Sequence, residues 1–166
     1  MTACQKMSLA PYSIPTMQTD MRLQEFERVL INGRGDALRK FGRNEYCVVV
    51  DWSDDAENIL RAVQQKLPDG YWRYQPTNGE NYAIERGGRV YHLDISEETD
   101  PEVIVQSINR VLSPEFEMRV FLPTVSDTIS LLLRSADWWS RFEAAYPKRL
   151  KQLFVTINER IKQTKK

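Results

Sequence analysis

Residues 82–93 constrain the fold more than any other stretch of this chain. Tyr82-Ala83-Ile84-Glu85-Arg86 and Arg89-Val90-Tyr91-His92-Leu93 flank a Gly87-Gly88 pair. Two consecutive glycines tolerate the positive φ angles of a two-residue hairpin turn, so the flanking runs must pair antiparallel. That register sets Ile84 opposite Tyr91 and Tyr82 opposite Leu93 on one face. Glu85 with Val90 and Ala83 with His92 fall on the other. The first face is the more apolar, so the hairpin has an inside and an outside, and a slip of one residue would bury the wrong side. A strand over 71–75 is expected to precede it, joined through an Asn78-Gly79 turn, and the hairpin strands themselves are read as 81–86 and 89–95.

The remaining periods place helices around this hairpin. Thr19 or Asp20 caps a helix with Leu23, Phe26 and Leu30 on one face and Asn32-Gly33 as its stop. A short helical turn follows, with Asp36 as its cap. Residues 46–52 are apolar on both faces for most of their length, which predicts a central strand. Asp54 with Glu57 resembles a capping box for helix 54–67, with Ile59, Leu60, Val63 and Leu67 inward. Asp100-Pro101 starts a second helix as cap and first residue, and Ser113-Pro114 closes it. Residues 115–122 alternate, with Phe116, Met118, Val120 and Leu122 on one face. Ile129 and Leu131 to Leu133 read as an apolar helical turn. A helix from Asp137 carries Trp138, Trp139, Phe142 and Tyr146; one of the two tryptophans is expected at the surface or over a neighbouring helix, with Trp139 in the core. A helix restarting at Pro147 would run Leu150, Leu153, Phe154, Ile157 and Ile161 along one face.

The expected fold is therefore α+β: a β-α-β-β-β-α-β core forming a single mixed or antiparallel sheet of about five strands, with helices packed mainly on one face. Residues 1–18, interrupted by Pro11 and Pro15, read as a flexible tail. Residues 19–163 form one domain and 164–166 a basic end. A chain of 166 residues is long enough for one core that buries roughly 70% of the unfolded surface.

The chemistry available is sparse. There is one histidine, His92, and there are two cysteines, Cys4 and Cys47. No glycine-rich phosphate loop and no strand-turn-helix nucleophile elbow is present. Histidine is the side chain best placed for proton transfer near neutral pH, and metal sites need clustered ligands, so no catalytic residue, cofactor or metal is expected. His92 with Asp94 reads as an exposed strand pair, and Cys47 as a small buried hydrophobe in a reducing, cytoplasmic setting. Arg34-Gly35-Asp36 is a chance tripeptide in that setting. The single Arg86-Gly87-Gly88 is a hairpin tip, not a repeated RNA-binding segment. No apolar run reaches the roughly 20 residues that span a bilayer, so no membrane partner is expected. Nucleic acid is disfavoured, because the formal net charge is zero and no basic-glycine-aromatic string is present.

That zero hides a segregation. Residues 51–102 hold twelve acids against five bases, whereas residues 147–166 hold seven bases against one acid. Two acidic clusters stand out: Asp51, Asp54 and Asp55 after the first strand, and Glu97, Glu98 and Asp100 before the second main helix. Helix capping accounts for each alone. If the preceding strands are parallel, the two clusters share one end of the sheet and form an acidic edge that can speed encounter with a basic partner. The expected contact residues are Asp51, Asp54, Asp55, Glu97, Glu98 and, as a sheet aromatic, Trp72.

In its size, mixed scaffold, lack of catalytic residues and acidic, aromatic-rich middle (Asp51-Trp52-Ser53-Asp54-Asp55, then Tyr71-Trp72-Arg73-Tyr74), the chain resembles the small cytoplasmic immunity proteins of bacterial toxin–immunity systems. These share no diagnostic motif, so the resemblance assigns no residue. It implies a non-enzymatic inhibitor that covers the active site of a cognate toxin, with a basic toxin domain as the partner. The alternatives are a small-molecule-binding or regulatory α+β domain and a carboxylate-dependent metal enzyme built on Asp51.

Overall fold

The computed structural model describes residues 17–43, 46–75 and 82–166, with side chains from Glu25 onward. Its elements, in order, are α1 (Met17–Asn32), α2 (Asp36–Arg43), β1 (Cys47–Asp51), α3 (Ala56–Gln64), β2 (Arg73–Gln75), β3 (Tyr82–Arg86), β4 (Arg89–Leu93) and α4 (Pro101–Leu112). They continue with β5 (Phe116–Phe121), a 3-10 turn (Leu122–Thr124), β6 (Thr128–Ser135), α5 (Ala136–Ala145), α6 (Pro147–Leu153), β7 (Phe154–Thr156) and α7 (Ile157–Thr164). The class is α+β. Instead of one five-stranded sheet there are two antiparallel sheets, one in the order β1-β6-β5-β7 and one in the order β2-β3-β4.

The hairpin forms in the expected register, with Ile84 opposite Tyr91, Tyr82 opposite Leu93 and Ala83 opposite His92. Gly87 and Gly88 take φ of +56° and +76°, the left-handed pair that matches the twist of the flanking strands. Most of the proposed tail and the Asn78-Gly79 turn lie outside the described residues. The last two tail residues, Met17 and Gln18, already belong to α1, so Thr19 and Asp20 sit inside that helix and not before it.

The largest departure is β6. Residues 128–135 are a strand, not a helical turn, and that strand lies between β1 and β5. A short apolar run carries no period of its own, so flanking partners decide its conformation. With β6 in the sheet, Ile129, Leu131 and Leu133 face one core and Leu132 faces another. β1 becomes an edge strand instead of a central one. Its Cys47 and Val48 are covered on opposite faces, while Val49 is exposed.

The four-stranded sheet is thus covered on both faces, not mainly one. On one side α3, α4 and α7 lie with the inner face of the three-stranded sheet in a core that includes Ile59, Trp72, Ile84, Ile108, Met118 and Leu131. On the other, α1, α2, α5 and α6 enclose Phe26, Phe41, Phe121, Trp139 and Phe154. Both α5 tryptophans are buried, because α5 has neighbours on two sides. Trp138 faces α1, stacks on Phe142 and donates Nε1–H to Glu27 at 3.0 Å. Trp139 faces the sheet, donating to the Glu117 carbonyl at 3.0 Å, with the Arg119 guanidinium 4.6 Å from its ring centre.

The expected long C-terminal helix is broken. Phe154–Thr156 leave it to pair with β5. The chain then re-enters a helix through a Thr156/Glu159 capping box, a Thr-x-x-Glu signal readable in the sequence. The break sends Leu150, Leu153 and Phe154 to one core and Ile157 and Ile161 to the other.

Candidate functional site

The acidic residues around α3 and α4 are placed by the backbone turns that start those helices. At the end of β1, the Asp51 carboxylate accepts from the Ser53 N–H at 2.9 Å and from the Ser53 hydroxyl at 2.7 Å. These bonds hold its pKa below the ordinary aspartate value, the backbone N–H contributing most. The Asp51 N–H in turn donates to the Asp54 carboxylate at 2.7 Å. Asp55, not Asp54, is the cap of α3: it accepts from the Asn58 N–H at 2.8 Å. The tight turn ties down its acids and leaves Trp52 at its apex, 45% exposed.

The second acidic turn is built similarly. The Ser96 N–H donates to the Thr99 hydroxyl at 2.8 Å and the Thr99 N–H returns to the Ser96 carbonyl at 3.1 Å. Glu97 and Glu98 stand exposed between them. Asp100 caps α4 by accepting from the Glu102 N–H at 2.8 Å.

The two turns meet. Asp51 and Trp52 line a shallow crevice with Pro101, the first residue of α4. Burial raises the pKa of the Tyr82 phenol, and the charges of Asp55, Glu97 and Glu57 raise it further. One phenol therefore feels carboxylates from both turns. The route differs from the one expected. β1 and β4 belong to different sheets, and it is the packing of α3 beside α4 that brings the helix starts together.

Of the residues expected at this surface, Asp51, Asp55, Glu97 and Glu98 are exposed and Asp54 is half-buried. Among the described residues none of these five forms an ion pair; the nearest pair, Glu57 with Arg61, lies one turn into α3. Trp72 is a correction: it is 2% exposed and belongs to the main core. It sits behind the three-stranded sheet because the inner face of that sheet takes the aromatics. No tyrosine of that sheet is among the large exposed hydrophobic residues; Trp52 is. The signal for Trp52 was its place in a turn just past a strand end, where no sheet neighbour can cover it.

The described residues contain no group of three or more His, Cys, Asp or Glu side chains able to hold a metal ion. Asp51, Asp54 and Asp55 direct oxygens to backbone and hydroxyl donors instead of to a common point. Cys47 is buried, and that burial pushes its thiol up to about 12, with Arg134 and Lys66 opposing the shift; it packs with Phe41 and Leu132 in the second core. Two solvent-open grooves flank α4, one of about 740 Å³ against β5 and α7 and one of about 600 Å³ against β4. Among the described residues no helix is long and apolar enough to cross a membrane. The chain matches no family model, no curated protein and no solved structure.

Proposed function

We propose that this chain is a non-enzymatic protein-binding module whose acidic rim docks on a basic surface of a partner. Within that class, it acts as an immunity-type inhibitor that covers the active site of a cognate toxin. One observation carries the reading: the first acidic turn, with Trp52 exposed, lies against the start of α4, which the second acidic turn leads into, and among the described residues none of the five carboxylates is ion-paired. Unneutralised carboxylates at one rim produce a directed potential that accelerates encounter with a basic surface, while a central aromatic supplies the contact that slows release.

The test uses the product of the neighbouring open reading frame as partner. Asp54→Asn, Asp55→Asn, Glu97→Gln and Glu98→Gln together remove four charges while an Asn at 55 still caps α3. A one-to-one complex is expected, with association slowed about tenfold or more in this variant and by added salt. Trp52→Ala is expected to cost about 2 kcal/mol of binding, mainly through faster dissociation. Unchanged association kinetics in the neutralised variant would refute the reading.

A further inference from the structure

We propose that the free edge of β4 takes up an extended acidic peptide segment of a partner protein as a fourth strand of the three-stranded sheet, with α4 as its floor. This site is independent of the acidic rim and opposite to it in charge.

The backbone argument starts from the hairpin register. In a two-residue hairpin the residues flanking the turn exchange both backbone hydrogen bonds, and bonded and non-bonded pairs then alternate. Arg86 and Arg89, Ile84 and Tyr91, and Tyr82 and Leu93 are therefore the bonded pairs. The N–H and C=O groups of Val90 and His92 point the other way, out of the sheet. β4 pairs with β3 alone, and no side chain of α4 donates to or accepts from it among the described residues. At the corresponding edge of the other sheet, the outward N–H of Asp51 is taken by Asp54. β7, the opposite edge of that sheet, is only three residues long. β4 offers five residues and has no such cover.

The side chains point to the same occupant. Val90 is 54% exposed, an apolar residue whose cross-strand partner on that face is Glu85. Beside the edge runs the groove of about 600 Å³, floored by Val103, Gln106, Ser107 and Arg110 of α4. A strand laid there would place alternate side chains over that floor and the others beside Val90 and His92. The charges on offer are basic. Arg89 and Arg110 are exposed and form no ion pair among the described residues. Arg86, one residue from the turn, is by contrast engaged by Glu115 and by the Val111 carbonyl. Asp94 is the one acid lining the groove and lies at its far end. Charged residues also keep an edge from pairing with its own copies. With Arg89 at one end and Arg110 on the floor, the groove accepts a segment carrying carboxylates.

The probe is a fluorescent, end-capped octapeptide of alternating glutamate and valine, followed by polarisation. Saturable binding to the full chain is expected. Val90→Pro removes an outward-facing N–H at an edge position that tolerates proline, and should weaken binding about tenfold. Arg110→Glu on the exposed floor should do the same, and it keeps the test alive should the proline variant fail to fold. The octapeptide with methylated backbone nitrogens at alternate residues, and the lysine-valine octapeptide, should not bind. Equal affinity for the Val90→Pro protein, or binding of either control peptide, overturns the proposal. So does a concentration-dependent dimer that Val90→Pro abolishes while the acidic peptide goes unbound, because the edge would then serve a second copy of this chain.

Discussion

Replacing Arg160 should reveal how firmly the start of α4 is held. Glu102, in the first turn of α4, has a side chain only 4% exposed, and the Arg160 guanidinium of α7 meets it at 3.1 Å with 20% exposure. Among the described residues, the second oxygen of Glu102 has only the Thr164 hydroxyl at 3.5 Å. Arg160→Met keeps the helix and the aliphatic stem but leaves a buried carboxylate with one weak donor. Removing one partner of a buried pair costs 3–5 kcal/mol in general, and the fifth of Arg160 open to water puts this case near the lower end, about 3 kcal/mol. For a domain of this length that corresponds to a fall of roughly 6–12 °C in Tm. Urea unfolding of the single variants and of Glu102→Met/Arg160→Met closes the cycle. The double variant should recover about 2 kcal/mol or more, because the stranded charge is gone. A loss below about 1 kcal/mol for Arg160→Met, or a double variant no more stable than Arg160→Met alone, would refute the assignment of a mutually dependent buried pair.

Four further outcomes follow from the same geometry. Asn109→Ala should destabilise by about 2 kcal/mol in urea unfolding, since the Asn109 amide both donates to the Met118 carbonyl at 2.9 Å and accepts its N–H at 2.8 Å. The lowered pKa of Asp51 means that its contribution to stability is present above the unfolded-state value near 4 and is lost as pH falls through the folded value; Asp51→Asn should flatten the acid limb of a Tm-versus-pH curve. In a Cys4→Ser background, Cys47 should resist alkylation at pH 8 until the protein is unfolded. The Cys47 contribution to stability should be intact below pH 9 and decline as pH rises toward about 12, a trend that thermal melts against Cys47→Ala would register.

The acidic rim shows where sequence reasoning reached and where it stopped. Asp100 announces a helix start through chemistry that acts over a few residues, and a sequence displays that directly; the cap of α3 was read one residue early, at Asp54, because adjacent aspartates offer the same side chain. The five carboxylates were legible because charge follows from residue type. Trp72 was misplaced because an aromatic residue in a short strand looks the same whether its face meets helices or water. Trp52 was passed over because exposure in a turn depends on what does not pack there.

What the chain's own order determined is everything set by near neighbours: the Gly87-Gly88 turn and its register, the inward stripes of α3 and α4, and the caps that end in carboxylates. Tertiary structure alone decided the rest. Ile129 to Leu133 became a central strand because β1 and β5 offer backbone partners on both sides, and Phe154 to Thr156 left a helical pattern to complete the other edge of that sheet. These choices turn on hydrogen bonds and burial between segments far apart in sequence, where local propensity is too small to prevail. The same long-range packing, α3 against α4, brought two ordinary helix starts to one charged rim.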